Sequence, residues 1–434
     1  MGILLLLMAL IFEIAFAFYC IATKKNHNKI KNWIRIAVFI VFVLLIVSSV
    51  IVWSFSWVML AILLFLLALN GTVALILKKT KNKPYKTSSI VWKSIMMIET
   101  FVFVLSPVII FPQYLSPKVT GEYEVATATE TFYDEERIEE FVDTEQNRFV
   151  NVEFWYPKKA DGTYPLLVFS HGAYGIKESN ASTFTELASH GYIVVSIDHP
   201  YHSFYTRSED GNVTMINKDY YDEITNSNKE GIYTKEELYE IIQKWMKLRT
   251  DDMNFVIDTI LKKANGDSGP IYSHINTEKI GVFGHSMGGA ASVWLDRVRD
   301  DISAVVNIDA SFFSELIYKK ELDDFVASNK DFTTPLLNIY SDDVWRQLDS
   351  SPIYIANKLN NEHFKEAYTV HFQGAKHLSL TDLPLFSPIL ANIVQRGKAD
   401  IDKLYCIETE NELILEFFDS KLKGMGQFTP KETY

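Results

Sequence analysis

At 434 residues, with 48% hydrophobic and 22% charged residues, the chain is long enough for more than one domain and is neither disordered nor fibrous. The average net charge of −12 hides two unlike parts: residues 1–112 hold 11 Lys/Arg against Glu13 and Glu99, a net of +9, and residues 113–434 hold 31 Lys/Arg against 52 Asp/Glu, a net of −21. The acidic part repels phosphate backbones, which excludes nucleic acid as a partner, and Cys20 and Cys406 alone supply neither a disulfide framework nor a cysteine metal site.

Four apolar stretches, 3–22, 36–53, 57–77 and 94–112, approach the ~20 residues that a helix needs to cross a bilayer core. The first lacks a basic n-region and precedes a Lys-rich loop, so it reads as a retained span and not as a cleaved signal. Lys24, Lys25, Lys29, Lys31 and Arg35 fall between spans one and two, and Lys78, Lys79, Lys81, Lys83 and Lys86 between three and four. Both loops belong on the cytoplasmic side, which places everything after Phe111 outside. Glu13 and Glu99 sit within apolar spans, where a carboxyl marks an ion path or is tolerated by snorkelling, protonation or a partner such as Lys93. Without internal repeats, the four spans read as an anchor.

Residues 113–120 form a linker, and from Gly121 to Gly424 short β-rich runs alternate with amphipathic ones, the pattern of an α/β fold with a mostly parallel sheet and helices on both faces. The strands fall at 122–132, 147–156, 165–170, 192–197, 279–284, 303–308, 335–341 and 367–373. Helices fall at 181–190, 235–264, 287–299 and 352–361. Residues 201–233 contain no periodic element but carry Tyr201, Phe204, Tyr205, Tyr220, Tyr221 and Tyr233, and follow a strand's carboxyl end, where binding loops of open sheets sit. They read as a cap over a site. Residues 425–434 are a tail.

The strongest chemical signal is Gly284-His285-Ser286-Met287-Gly288-Gly289 between a β-run and a helical run, the strand–turn–helix setting of G-x-S-x-G. So tight a turn requires glycine two residues either side of the serine and presents its hydroxyl at a helix N-terminus, which suits a nucleophile. Ser286 is therefore the candidate nucleophile. A tetrahedral oxyanion needs two N–H donors: Met287 supplies one, and Ala173 in Ser170-His171-Gly172-Ala173 after the strand PLLVFS supplies the other. In this chain order the histidine comes last, so His171 is excluded as base. His371 lies mid-strand and His363 in a polar helical segment, which leaves His377 in the loop after the final strand. Two strand ends offer the acid: Asp309, or Asp342 and Asp343. His199 and His202, three apart, have no further ligand cluster beside them and read as shaping the cleft, so no metal and no cofactor is expected.

The pieces FSHGAYG, GHSMGGA, NIDASFF, GAKH and the tail ADIDKLYCIETENELILEFFDSKLKG resemble the platelet-activating-factor acetylhydrolase family of α/β-hydrolases over most of residues 121–424. In that family the acid stands in the motif that maps onto NIDASFF, which implies Asp309, and the second donor follows the His-Gly, which implies Ala173. The resemblance also implies a lipid ester as substrate. The resulting expectation is a membrane-anchored serine hydrolase of carboxylic esters. Two other classes fit the same residues: an acyltransferase using the same acyl-enzyme, and a membrane receptor or transport module that keeps the fold only to bind.

Overall fold

The computed structural model describes residues 1–77, 85–114, 116–159, 161–266, 269–359 and 363–434. Lys78, Lys79, Lys81 and Lys83 of the second basic loop, residue 115 of the linker and the end of the helix expected at 352–361 lie outside the described residues. The chain divides into two compact units, Met1–Leu115 with Leu385–Leu390, and Ser116–Pro384 with Ala391–Tyr434.

In the first unit, helices α1 (Gly2–Thr23), α2 (Asn28–Val47), α3 (Val58–Ile76) and α4 (Thr87–Ile110) pack as α1 on α4 and α2 on α3. All four are long and apolar enough to cross a membrane, α3 counted with the short turn of 3-10 helix that precedes it. The second helix begins eight residues before the apolar stretch and stops at Val47, since helix-compatible Lys and Arg extend it at one end and Ser49 (φ 58°) turns the chain at the other. Phe42, Trp57, Leu60, Leu64, Val104, Leu105 and Val108 form its core. Glu13 meets Lys31 at 3.3 Å, not Lys93, while Glu99 is exposed.

The second unit runs β1 (Val125–Ile138), β2 (Asn147–Pro157), β3 (Tyr164–Ser170), α5 (Ala181–Ser189), β4 (Ile193–Asp198), the hairpin β5 (Tyr205–Arg207) and β6 (Val213–Met215), α6 (Lys218–Ser227), α7 (Lys235–Ala264), β7 (Ile275–His285) and α8 (Met287–Asp296). It continues with β8 (Ile302–Ile308), the hairpin β9 (Leu316–Lys319) and β10 (Asp324–Ala327), β11 (Leu336–Ser341), α9 (Asp342–Trp345), α10 (Ile355–Leu359), β12 (Ala367–Phe372), the short helices α11 (Leu383–Phe386) and α12 (Pro388–Val394), which each belong partly to the first unit, and α13 (Lys403–Phe418). Eight strands form one sheet in the order β1-β2-β4-β3-β7-β8-β11-β12. Pairings from β4 to β12 are parallel, and β1 and β2 are antiparallel additions at one edge.

Successive residues of the central strands point to opposite faces, and both faces are covered, so these strands are apolar throughout. Leu166, Val168, Val195, Val282 and Val305 pack with Met246, Met253, Ile257 and Ile260 of α7 and with Ala290 and Val293 of α8. On the other face Leu167, Phe169, Phe283, Val306 and Ile339 meet Phe184 of α5 and Ile414, Phe417 and Phe418 of α13. Helix α7 starts in a capping box: Thr234 Oγ1 accepts from Glu237 N at 3.2 Å, and Glu237 Oε2 accepts from Thr234 N at 2.8 Å.

The insertion 201–233 is not featureless. Asp210-Gly211 turns the β5–β6 hairpin, with Gly211 at φ +86°, and Asn217 caps α6 by accepting from Tyr220 N at 3.0 Å.

Candidate active site

The carboxyl ends of β3, β7, β8 and β11 lie side by side in the sheet, and each contributes to one site. Ser286 follows β7 with φ 54° and ψ −124°, a conformation that L-residues rarely adopt, and its backbone N–H donates to Ile308 O at 2.7 Å. The glycines make this possible. A Cβ on Gly288 would fall into the carbonyl of Ser170, one on Gly284 into the backbone of Gly288, and one on Gly289 would sit 2.5 Å from Asn307 Oδ1. Among the described residues, Ser286 Oγ takes part in no protein hydrogen bond.

Asp309 follows β8 at φ 58°, a left-handed position that Asp tolerates. Its carboxylate is 1% exposed and accepts three hydrogen bonds: Ser341 N at 2.6 Å, Ser341 Oγ at 2.7 Å and His377 Nδ1 at 2.7 Å. The His377 loop is tied down twice more, by His285 Nε2 donating to His377 O at 2.9 Å and by Asp343 Oδ2 accepting from His377 N at 3.1 Å. The His285 and His377 rings lie 4.6 Å apart, so the imidazole stands over the residue next to Ser286. Of the alternative acids, Asp342 pairs with His371 Nε2 at 2.6 Å and with Arg346, and Asp343 holds the His377 backbone and Lys376. Neither reaches the His377 ring among the described contacts.

Met287 opens α8, whose first N–H groups have no intrahelical acceptor. Gly172 packs against the elbow so closely that a Cβ there would lie 3.2 Å from Ser286 Cβ, and the next residue is Ala173. Its N–H donates to no protein acceptor among the described residues.

A second Ser–His–Asp chain runs beneath. Ser170 Oγ lies 2.9 Å from His199 Nε2, and His199 Nδ1 lies 3.0 Å from Asp252 Oδ2. All three are 0% exposed, so no substrate reaches Ser170, and the chain is a buried support for the end of β3. Arg148 forks onto Asp252 at 3.1 and 2.7 Å and reaches Glu139 at 2.8 Å. Burial pushes the His199 imidazole down to about 4 and those of His171, His202 and His285 well below their usual value, so all four are neutral near pH 7. His199 and His202 therefore act as hydrogen-bonding and stacking groups, His202 lying on Tyr220 at 3.6 Å with planes 8° apart.

The 201–233 insertion reaches the elbow through Tyr220 of α6, whose hydroxyl meets Met287 Sδ at 3.3 Å, while Tyr174 packs on Tyr221 at 5.2 Å. Sequence reasoning missed His285, Ser341, Arg148 and Asp252. Of these only His285 carried a signal, as the residue before the nucleophile in its motif.

The family model for platelet-activating factor acetylhydrolase, isoform II, matches residues 146–431. The chain is 24% identical to a platelet-activating factor acetylhydrolase of Gallus gallus over 61% of its length and 64% of the relative's, and 25% identical to that of Canis lupus familiaris over 61% and 59%. It is 27% identical to a probable 1-alkyl-2-acetylglycerophosphocholine esterase of Arthroderma benhamiae over 35% and 33%. The chain thus spans less than two thirds of the length of these curated relatives. A solved ferulic acid esterase from Streptomyces cinnamoneus shares the fold with a TM-score of 0.57 at 19% identity, over 73% of this chain and 96% of that one.

Proposed function

Since the chain belongs to the platelet-activating factor acetylhydrolase isoform II family, we propose that it is a serine hydrolase of carboxylic esters, with Ser286 as nucleophile, His377 as base and Asp309 as the acid that holds the base. The observation that carries this reading is the buried Asp309 carboxylate 2.7 Å from His377 Nδ1, beside a serine in the strained conformation of a nucleophile elbow. His377 Nε2 takes the Ser286 proton as Oγ adds to the ester carbonyl, and Asp309 stabilises the imidazolium. The Ala173 and Met287 N–H groups receive the oxyanion. Collapse expels the alcohol with the proton from His377, and water then attacks the acyl-enzyme by the same path.

The substrate we infer is an ester of short or modest acyl length on an amphiphile. Three features support it: the names of the relatives, the aromatic side chains of Tyr174, Tyr220 and Tyr221 beside the elbow, and four helices long and apolar enough to cross a membrane; from the basic loops we further infer that the hydrolase unit lies outside the cell. The deciding experiment is an activity profile of the full-length protein in detergent against esters of increasing acyl length and against phospholipid vesicles, with Ser286→Ala alongside. Turnover of short acyl esters on amphiphiles that vanishes in Ser286→Ala supports the reading. Activity confined to small soluble esters overturns the lipid substrate, and activity surviving in Ser286→Ala overturns the chemistry. Protease shaving of intact cells tests the topology, since it should remove a C-terminal epitope.

A further inference from the structure

Arg249 on α7 is 0% exposed, and among the described residues no carboxylate pairs with it. Its guanidinium faces the end of β3 and the loop after it: Nη1 donates to His171 O and, at 3.4 Å, to Ser170 Oγ, and Nη2 donates to Gly172 O at 3.3 Å, while Nε has no partner and the Tyr220 hydroxyl lies beside the cation. A buried cation without a counter-ion is costly, and α7 fills the same face with Trp245, Met246, Met253 and Val256, so an apolar side chain would satisfy packing alone.

What the cation touches gives it a role. The Gly172 carbonyl also lies 2.6 Å from His171 Nδ1, and it shares a peptide plane with the Ala173 N–H. That peptide is trans, so the N–H points away from the carbonyl. With the Gly175 N–H at 3.1 Å, three donors meet on the oxygen; together they fix the plane, and the one cation among them, Arg249, draws most electron density off the nitrogen, which makes its proton a stronger donor. We propose that Arg249 is a positioning residue that orients and polarises the Gly172–Ala173 peptide so that Ala173 N–H receives the oxyanion. The inference rests on the hydrolase reading above.

The test uses full-length wild type, Arg249→Lys and Arg249→Met in detergent, with turnover counted per site titrated by a fluorophosphonate. It also uses a trifluoromethyl ketone, to which Ser286 Oγ adds while His377 takes its proton and the ketone oxygen becomes a hemiketal oxyanion. Loss of one oxyanion donor lowers turnover by about 100-fold. Arg249→Met is expected to show a fall of that order in kcat with KM within about 3-fold, and the ketone's Ki should rise by the same factor as kcat falls. Arg249→Lys, a single point charge in place of a fork, should fall by about 10-fold. A merely structural role removes titratable sites and leaves the turnover of each unchanged. If Arg249→Met gives no folded sites, Arg249→Lys decides alone. An active wild type whose folded variants match it in kcat and Ki per site overturns the proposal by itself. A wild type that neither labels nor turns over an ester overturns the hydrolase reading and the proposal with it.

Discussion

Replacing Asp309 by Asn changes one atom and should disable the base. Ser341 N–H, 2.6 Å from Oδ1, requires an acceptor there, so the Asn carbonyl takes that position and its NH2 takes the place of Oδ2. That NH2 then faces His377 Nδ1 at 2.7 Å and Ser341 Oγ at 2.7 Å. The serine hydroxyl rotates and accepts. The imidazole must do the same, which moves its proton to Nε2 and leaves no lone pair for the Ser286 hydroxyl. Enforcing the wrong tautomer in a Ser-His-Asp site lowers kcat by about 10⁴-fold, equivalent to about 5.5 kcal/mol of transition-state stabilisation. Folding should lose no more than about 1–3 kcal/mol, because only the Ser341 hydroxyl proton gives up its acceptor. The assay is kcat on p-nitrophenyl acetate for full-length protein, with thermal unfolding as the control. Asp342→Asn weakens only the contacts to His371 and Arg346 and should stay within about 3-fold of wild type, and Asp343→Asn, which keeps an acceptor for His377 N, within about 10-fold. A folded Asp309→Asn retaining a tenth of wild-type kcat, or an Asp342→Asn or Asp343→Asn that abolishes it, would refute this assignment of the acid.

Gly288→Ala places a methyl group in the Ser170 carbonyl, so the elbow must open, at a stability loss on the order of 3 kcal/mol with activity lost, read by urea unfolding and ester turnover. Asp382 is buried and held up at about 6, above its ordinary 3.8, with Ser182 donating to it through N–H and Oγ–H. Because the folded state holds the proton more tightly, its stabilising contribution is full below about pH 4 and is lost as pH rises to about 6. Asp382→Asn should therefore gain stability relative to wild type by up to about 3 kcal/mol between those pH values, and a difference that stays flat with pH would contradict it. Tyr220→Ala removes the ring that stacks on His202 and meets Met287, and should raise KM at least about 10-fold on aromatic or long-chain esters, while Tyr220→Phe keeps the stack and stays within about 2-fold.

Local signals carried much of the site. Glycine at 284 and 288 announces an elbow because only glycine fits there, and the parallel strands announce themselves as unbroken apolar runs. Burying both faces of the sheet leaves β3, β4, β7, β8 and β11 no polar alternation to imitate a helix. The choice between Asp309 and the Asp342-Asp343 pair was not local: both follow parallel strands one place apart in the sheet, and the backbone angle at Asp309 and the path of the 374–377 loop bring Asp309 to the His377 ring. Arg249 and Asp252 were illegible for a related reason. They are charged residues three apart on an amphipathic helix, where they read as part of its solvated face, yet both face inward. Small capped elements such as α6 were missed because Asn217 and the Asp210-Gly211 turn are single-residue signals without periodic support.

Among the described residues, Ser170 is hydrogen-bonded into a sealed Ser–His–Asp chain, and Ser286 at the elbow above it is the serine we propose to work with His377 and Asp309. Treating the full-length wild-type protein with a fluorophosphonate and mapping the adduct by peptide mass spectrometry separates them directly. The account predicts one adduct, on Ser286, absent from Ser286→Ala and strongly slowed in His377→Ala. An adduct on Ser170, or labelling of Ser286→Ala at the wild-type rate, would contradict it.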